Sequence, residues 1–444
     1  MDAGLDVARI NFSHGTYDEH RETIATVRRL AREMGRPVAI LGDLQGPRIR
    51  VGDLASPVML TAGTDMVLAP EDVARDGEIP VTYGALADDI RVGDRVLMDD
   101  GLIDLVVLDV APPRVRARVV HGGQLRSHKG INLPGVAVSA PSITDKDRAD
   151  AAFAVEQGLD YLALSFVRRA DDIAMLRALI PKGMLVVAKI EKDTALTNIT
   201  EIIEASDAVM VARGDLGVEL PFEEVPFAQK RIIALANALG RPVITATQML
   251  ESMVTHPRPT RAEASDVANA ILDGTDAVML SAETAAGQYP QLAVHAMTRI
   301  ILEIERHPLP SPSRVLARRE SDAPVATEDA IAAATAAAAA SLDAPVVMVF
   351  TKSGFTARIV SAHRPGVPIF ALTDVERTYR QLALVWGVFP VLVSTASTYE
   401  EMFEQGSRAA KELGFAKHGD RVLVTAGVPF DVPGTTNLLR VEVV

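Results

Sequence analysis

Residues 185–213, LVVAKIEKDTALTNITEIIEASDAVMVAR, place two short apolar runs, LVVAKI and AVMVAR, on either side of a segment typical of helices. Strands that are buried on both faces are continuously apolar, so such runs alternating with helices predict a parallel sheet covered on both sides. The predicted fold class is therefore α/β. Outward from this stretch the pattern recurs, and the apolar runs lie at 6–12, 37–44, 161–166, 185–190, 208–213, 242–247 and 277–281.

Two segments depart from this pattern. Residues 115–119, VRARV, alternate with period two, and Asp99-Asp100-Gly101 has turn chemistry, which together predict a small inserted β domain. A stretch rich in Pro, Ser and charge is typical of a linker, and strand-like and helical segments follow it. The predicted divisions are a (β/α) barrel at 1–46 and 143–306, the inserted domain at 47–142, a linker at 307–326 and a C-terminal α/β domain at 327–444.

Composition narrows the class of protein. The 45 Lys and Arg against 58 Asp and Glu give a net charge of -13, which argues against nucleic acid as a partner. The sequence contains no Cys, so disulfides, thiolate metal sites and Cys nucleophiles are excluded. The first residues do not resemble a signal peptide, and the Ala-rich run at 330–342 is too short to span a bilayer. We expect a cytoplasmic protein without a membrane partner.

Polar side chains stand at the ends of the predicted strands. In a parallel α/β barrel these ends meet at one mouth, where catalytic groups collect, so a set from seven strands predicts a single site. Its members are Asn11, Ser13, Asp43, Ser165, Lys189, Glu191, Arg213, Asp215, Thr247, Ser281 and Glu283.

Lys189 lies within the apolar AKI run, a position that we expect to be buried and not exposed to solvent like an ordinary surface lysine. It is either a structural buried Lys–Glu pair or a cation that faces a phosphate or an enolate. Glu191 and Asp215 are hard oxygen ligands without nearby Cys or His, which suits magnesium or manganese. The RGDLG segment around Asp215, with Gly214 and Gly217, would also serve as a purely structural turn.

Two further groups of residues suit phosphate. Arg9 and Arg50 could each bind phosphate oxygens in bidentate fashion or form ordinary surface salt bridges. In the C-terminal domain a hydroxyl-rich loop precedes a predicted helix, where it is either a phosphate site or a simple Ser/Thr cap. Its candidate residues are Thr351, Lys352, Ser353, Gly354 and Thr356.

Several long motifs, in one order, resemble those of pyruvate kinases. They include ARINFSHG at 8–15, GDLQGPRIR at 42–50, MDDGLI at 98–103, AKIE at 188–191, VMVARGDLGVE at 209–219 and TATQMLESM at 245–253. The resemblance spans residues 1 to about 290 closely and is looser beyond, through TKSG and GTTN. It implies phosphoryl transfer between phosphoenolpyruvate and ADP, giving pyruvate and ATP, in a TIM barrel with a β lid and a C-terminal regulatory domain.

The resemblance also implies roles for individual residues. Lys189 would be the cation at the phosphoryl group and enolate, Glu191 and Asp215 the Mg²⁺ or Mn²⁺ ligands, and Thr247 part of the route that protonates the enol. Arg9 would contact the phosphoryl group, and Asp100 would close with the lid. The implied substrate- or nucleotide-binding set is Arg9, His14, Arg50, Lys146, Gly214, Asp215 and Thr247, and the implied monovalent-cation pocket is Asn11, Ser13, Asp43 and Leu44. A phosphorylated allosteric effector at the 351–356 loop and a homotetramer are further implications.

Three departures from the family pattern are visible. The chain begins at MDAGLDVARINF, without the usual first strand and helix, so we expect seven barrel strands and an exposed sheet edge. Arg48 stands where potassium-dependent relatives carry Glu, and its fixed charge could replace the monovalent cation. Ala286 stands where many relatives have Lys, so one nucleotide contact that the resemblance implies is in doubt.

Two other interpretations remain open from the sequence. Lys, Glu and Asp at strand ends would also suit a metal-dependent barrel lyase or aldolase that handles a pyruvate enolate. The chain could alternatively be a truncated, inactive relative that binds a sugar phosphate through its C-terminal domain.

Overall fold

A computed structural model describes residues 1–307, 325–396, 398–428 and 436–444. Most of the predicted linker, at 308–324, and the first half of the GTTN motif therefore lie outside the described residues. Within those that are described, no helix is long and apolar enough to cross a membrane.

The chain starts with a strand–helix–strand unit, β1 (Val7–Asn11), α1 (Tyr17–Glu33) and β2 (Ala39–Asp43). Helix α1 begins where Thr16 and Glu19 cap each other's backbone N–H groups, a capping box that satisfies two donors of the first turn. Strand β2 is buried along its whole length, as its apolar sequence predicts.

The inserted domain follows. Its elements are β3 (Val58–Leu60), β4 (Asp65–Pro70), β5 (Ile79–Val81), α2 (Leu86–Asp89), β6 (Arg95–Met98), β7 (Ile103–Ala111), β8 (Arg114–His121), β9 (Gly123–Leu125) and β10 (Ile131–Asn132). Six strands form one sheet in the order β10-β6-β7-β8-β4-β5, and β3 pairs with β9. In β8 buried and exposed residues alternate, because one face covers the domain's own core and the other meets solvent.

The helical and strand pattern then resumes. The elements are α3 (Asp145–Glu156), β11 (Tyr161–Leu164), α4 (Ala170–Arg177), β12 (Leu185–Ile190), α5 (Asp193–Thr197), α6 (Ile199–Ala205), β13 (Ala208–Ala212), α7 (Arg213–Glu219), α8 (Val225–Ala238), β14 (Val243–Ala246), α9 (Arg261–Asp273), β15 (Ala277–Val278), α10 (Ala282–Ala285) and α11 (Pro290–Glu305). Helix α9 runs from the Thr260–Glu263 capping box to Gly274, whose φ of 100° ends the helix in the left-handed conformation.

Seven parallel strands form one sheet in the order β1-β2-β11-β12-β13-β14-β15. All seven predicted runs are strands, and their carboxyl ends lie at one edge, which we call the barrel mouth. Among the described residues no pairing joins β15 to β1, so the sheet has two open edges. Strand β15 is shorter than its predicted run and only partly buried, since it has a neighbour on one side alone.

The C-terminal domain has a five-stranded sheet in the order β18-β17-β16-β19-β20, with β20 antiparallel to β19. Its elements are α12 (Thr327–Leu342), β16 (Val347–Phe350), α13 (Phe355–Ala362), β17 (Ile369–Thr373), α14 (Glu376–Gln381), β18 (Val388–Leu392), α15 (Tyr399–Glu412), β19 (Arg421–Ala426) and β20 (Leu438–Val443).

The C-terminal domain contacts the barrel at the end opposite the mouth. Gln381 accepts a 2.7 Å hydrogen bond at its backbone oxygen from the Tyr161 hydroxyl, where β11 begins. Leu384 packs into the apolar cluster that fills the barrel interior beside Leu41 and Tyr161. The C-terminal domain and the barrel mouth therefore lie at opposite ends of β11.

Candidate active site

Lys189 is the centre of the barrel mouth. It lies near the end of β12, is 8% exposed, and its ammonium contacts groups from three strand ends. Nζ lies 2.8 Å from Glu191 Oε1 and 3.2 Å from Asp43 Oδ1, and it donates a 2.7 Å hydrogen bond to Ser165 Oγ. Because β2, β11 and β12 are neighbours in register, the polar residues that follow them meet at this point.

The charges in this cluster hold each other in the ionised state. Burial alone would lower the pKa of Lys189, but the Asp43 and Glu191 carboxylates outweigh it and raise that pKa to about 12. Burial likewise would raise the pKa of Asp43, yet Lys189 and Arg9 together hold it below its usual range. Arg9 lies 2.6 Å from Asp43 Oδ2. A permanent positive charge is therefore fixed at the mouth.

Glu191 and Asp215 lie close enough to repel one another. Burial and then the Asp215 charge raise the pKa of Glu191, against the opposing effect of Lys189. The Phe166 amide donates a 2.6 Å hydrogen bond to Glu191 Oε2, and Phe166 adopts a φ of 54° to do so. A buried carboxylate, Glu191, and a partly exposed one, Asp215, that repel each other fit a divalent cation.

The described residues contain no group of three or more His, Asp or Glu that could hold a metal ion alone. Only two carboxylates were predicted as ligands, so substrate oxygens and water would have to complete the coordination shell.

Thr247 follows β14 in a strained backbone conformation, with φ at 66°. Its hydroxyl accepts a 2.8 Å hydrogen bond from the Gly214 amide and donates to the Ala246 carbonyl at 2.7 Å. A Cβ on Gly214 would meet the Thr247 hydroxyl at 3.3 Å, so glycine permits the close approach. A hydrogen bond thus joins the start of α7, which carries Asp215, to the loop that contains Thr247.

The predicted monovalent-cation pocket is held together by local contacts. The Ser13 amide donates to Asn11 Oδ1 at 3.1 Å, and the Asn11 side chain also contacts the His14 ring at 3.2 Å. The Leu44 carbonyl accepts a 2.7 Å hydrogen bond from Ser165 Oγ. Through Ser165 this pocket is connected to Lys189.

Among the described residues, four other predicted site residues form no hydrogen bond or ion pair with Lys189, namely Arg48, Arg50, Asp100 and Lys146. Arg48 and Asp100 are exposed, and Arg50 is partly exposed. In the described part of the chain the Arg48 side chain forms no ion pair or hydrogen bond. Lys146, on α3, donates to the Phe12 carbonyl at 2.8 Å and pairs with Asp150 at 2.6 Å.

The C-terminal loop forms its own hydrogen-bonded turn before α13. The Gly354 amide donates to Thr351 Oγ1 at 2.9 Å, and Lys352 pairs with Asp374. Thr356 Oγ1 lies 2.8 Å from Thr436 Oγ1, and the backbone oxygen of Ser353 accepts from Arg358. The five predicted residues are therefore adjacent, and Lys352 has a carboxylate partner in this state.

Comparison with known proteins shows to which family the chain is similar. A family model described as the pyruvate kinase barrel domain matches residues 1–294, and one described as the pyruvate kinase alpha/beta domain matches residues 329–442. The chain belongs to the pyruvate kinase family. Membership in this family agrees with a TIM-type barrel and with phosphoryl transfer from phosphoenolpyruvate to ADP, and it favours this reaction over the lyase or aldolase alternative.

Individual relatives agree with this assignment. A pyruvate kinase of Geobacillus stearothermophilus is 48% identical over 452 residues, which cover 100% of this chain and 77% of that protein. Pyruvate kinase 2 of Synechocystis sp. is 47% identical, with 100% and 76% covered. A solved pyruvate kinase structure from Cryptosporidium parvum is 36% identical, with a TM-score of 0.93 and coverage of 100% of this chain and 91% of its own.

In this member of the pyruvate kinase family, sequence reasoning gave no role to three residues at the mouth. Ser165 appeared only as one more strand-end residue, yet it joins Lys189 to the Leu44 carbonyl. Arg213 pairs with Asp266 at 2.7 Å and donates to the Thr247 carbonyl at 2.7 Å. Glu219 was unremarked, although it lies on the same helix as Asp215 and is 6% exposed. A helix spacing of four residues between Asp215 and Glu219 was the available signal.

Proposed function

We propose that the phosphoryl transfer takes place beside Lys189, with Arg9 and Arg50 binding phosphate oxygens and Thr247 on the proton route. The observation that carries this assignment is the Lys189 ammonium, buried at the mouth among Asp43, Glu191 and Ser165. A buried cation with a raised pKa remains charged throughout the neutral range, so its field is available whenever substrate binds.

In the proposed reaction the bond between phosphorus and the enol oxygen of phosphoenolpyruvate breaks. A new bond forms between that phosphorus and a terminal oxygen of ADP. The enolate left behind accepts a proton at its terminal carbon and becomes pyruvate. Lys189 and Arg9 stabilise negative charge on the phosphoryl group and the enol oxygen, which is the main task of protein groups in this chemistry.

The carboxylates of Glu191 and Asp215 would hold a magnesium or manganese ion. When bound, that ion offsets the negative charge of the phosphoryl oxygens. Support comes from the raised pKa of Glu191, caused by burial and by repulsion from Asp215, because a cation between the two would remove that repulsion.

Thr247 has a hydroxyl whose orientation is fixed on two sides. Its proton points to the Ala246 carbonyl, and its oxygen receives the Gly214 amide proton. An ordered hydroxyl of this kind can relay a proton with a water molecule to the enolate carbon. His14, Lys146 and Gly214 remain proposed members of the substrate or nucleotide site.

Arg48 is the proposed substitute for a monovalent cation beside Asn11, Ser13, Asp43 and Leu44. Its guanidinium is exposed and has no carboxylate partner in the described residues, so its charge is available to substrate. Potassium is therefore proposed to be dispensable.

The C-terminal loop is proposed to bind a phosphorylated effector, a sugar monophosphate or AMP rather than fructose 1,6-bisphosphate. Thr351, Lys352, Ser353, Gly354 and Thr356 supply hydroxyls, amides and one cation at the start of α13. Closure of Asp100 with the inserted domain, a homotetrameric assembly, a cytoplasmic location and the domain limits named above are also proposals.

The function is tested by following ATP formation from ADP and phosphoenolpyruvate, with MgCl₂ and with excess EDTA. We expect rapid formation that EDTA abolishes. Activity that persists in EDTA would contradict the metal assignment. Absence of activity with Mg²⁺ or Mn²⁺ present, together with retained binding of a sugar phosphate, would instead support the inactive sugar-phosphate binder.

A further inference from the structure

A three-residue contact joins the inserted domain to the segments that carry Glu191 and Asp215. Glu219 Oε1 accepts a 3.0 Å hydrogen bond from Asn132 Nδ2 and lies 2.6 Å from Lys192 Nζ. The Glu219 side chain is 1% exposed and that of Lys192 is 14% exposed. We call Asn132, Lys192 and Glu219 the Glu219 junction.

The junction's barrel residues are covalently close to the proposed metal ligands. Lys192 directly follows Glu191, and Glu219 is four residues after Asp215 in α7. Residues four apart in a helix lie on the same face. The ion pair between Lys192 and Glu219 therefore fixes the segment after β12 against the end of α7.

On the other side, the junction reaches the turn that carries Asp100. Asn132 is in β10, which pairs with β6 through Asn132 with Leu97 and Ile131 with Met98. Strand β6 leads directly into Asp99, Asp100 and Gly101. A Cβ on Gly101 would lie 3.7 Å from Val218 Cγ1, so this turn rests against the residue before Glu219.

Glu219 is also incompletely satisfied. Its Oε2 is buried and has no hydrogen-bond partner among the residues that the structure describes. A buried carboxylate oxygen without a donor is costly, which is unusual in a contact that serves stability alone. Among the described residues Asn132 is the one donor from the inserted domain, whereas the Lys192–Glu219 pair lies entirely within the barrel.

From these contacts we infer that the Glu219 junction positions the inserted domain over the barrel mouth. This inference rests on the proposed function, since the positioning serves the same site. The three junction residues are positioning residues. They act through Asp100 and through the two segments that carry Glu191 and Asp215. The Asn132 hydrogen bond holds the β6–β7 turn next to α7. The inserted domain therefore loses less conformational freedom when it closes on substrate.

The test removes the domain-side donor with Asn132→Leu, which keeps side-chain size, and compares it with Gln124→Ala. Gln124 is an exposed amide of the same domain whose side chain contacts Arg126. Loss of one hydrogen bond to a charged group is enough to change KM by about tenfold. We expect Asn132→Leu to raise KM for phosphoenolpyruvate or ADP about tenfold while kcat stays within about twofold. Gln124→Ala should alter neither constant.

Hydrogen–deuterium exchange provides a readout that does not depend on activity. In Asn132→Leu without substrate, amides in β6 and the following turn should exchange faster than in the parent, and those in β13 should not. Unchanged exchange in this turn together with unchanged KM would overturn the inference. If the parent itself makes no ATP, the proposed function fails, while the exchange result still decides whether the junction holds the domain.

Discussion

At the residue scale, the barrel mouth is organised around the Lys189 ammonium and the carboxylates close to it. Lys189, Glu191 and Asp215 were recognisable in the sequence because charged residues at the ends of apolar strands have few structural reasons to be there. The partners were not recognisable. Glu219 contacts Asn132 at a separation of 87 residues, and no local pattern encodes such a contact.

Replacement of Lys189 should remove most of the activity. In Lys189→Met the bulk is kept and the charge is lost, and loss of one preorganised electrostatic group costs about a hundredfold to a thousandfold in kcat. The measurement is kcat by coupled ATP formation, with circular dichroism to verify folding. Lys182→Met, an exposed lysine before the same strand, is the control and should retain parental kcat. Activity of Lys189→Met within about tenfold of the parent would refute the role.

Arg48 should decide the response to potassium. The parent should be nearly as active in buffer free of sodium and potassium as in potassium chloride, because the arginine charge is tethered and permanent. Arg48→Glu should require potassium, since the pocket then gains a carboxylate in place of a cation. Arg91→Glu, an equal charge reversal at an exposed position of the inserted domain, should not. Many-fold activation of the parent by potassium would show the proposal to be wrong.

At the scale of elements, sequence periodicity predicted the seven parallel strands because their apolar runs have no alternation and end in polar groups. The shortness of β15 was not predictable, because it depends on how many neighbours a strand has in the sheet. The ion pair between Lys352 and Asp374 could not be predicted either, because the two residues follow different strands.

Helix α14 should stabilise the barrel through Asp160. This fully buried carboxylate lies 2.7 Å from Arg28 and 3.0 Å from Arg380 of α14, and accepts a 2.9 Å hydrogen bond from the Ile40 amide. Asp160→Ala removes the carboxylate that pairs with Arg28 and one of the two that pair with Arg380, which also contacts Glu376 at 2.9 Å. The expected cost is about 3–5 kcal/mol. Thermal unfolding should show a clearly lower midpoint, whereas Asp72→Ala at an exposed turn should not. Equal midpoints would contradict this description of the interface.

The loop before α13 should control activation. Lys352→Ala combined with Ser353→Ala removes a cation and a hydroxyl from the proposed phosphate site. Activation by a sugar monophosphate or AMP should then disappear, while activity without effector is retained. Lys411→Ala, an exposed lysine of α15, should leave activation intact. Activation that survives the double substitution unaltered would place the effector site elsewhere.

At the scale of the whole molecule, the barrel lies between two added domains. The inserted domain contacts the mouth through the Glu219 junction, and the C-terminal domain contacts the opposite end through Gln381 and Leu384. Strand β11 begins at the Gln381 contact and is followed at its other end by Ser165, which binds Lys189. Composition predicted an acidic, multidomain α/β protein, and the family resemblance implied a lid at the mouth. That the C-terminal domain contacts the opposite end follows from side-chain packing and could not be predicted.

The most direct test of the central claim is the dependence of ATP formation on magnesium concentration in the parent, Glu191→Gln and Asp215→Asn. Each amide keeps the shape of the side chain and removes one negative charge from the proposed metal site. We predict that half-maximal activation requires at least about tenfold more Mg²⁺ in both variants. Glu201→Gln, at an exposed position of α6, should follow the parental curve. Parental magnesium curves in both site variants would contradict the assignment of this barrel mouth as the site of phosphoryl transfer.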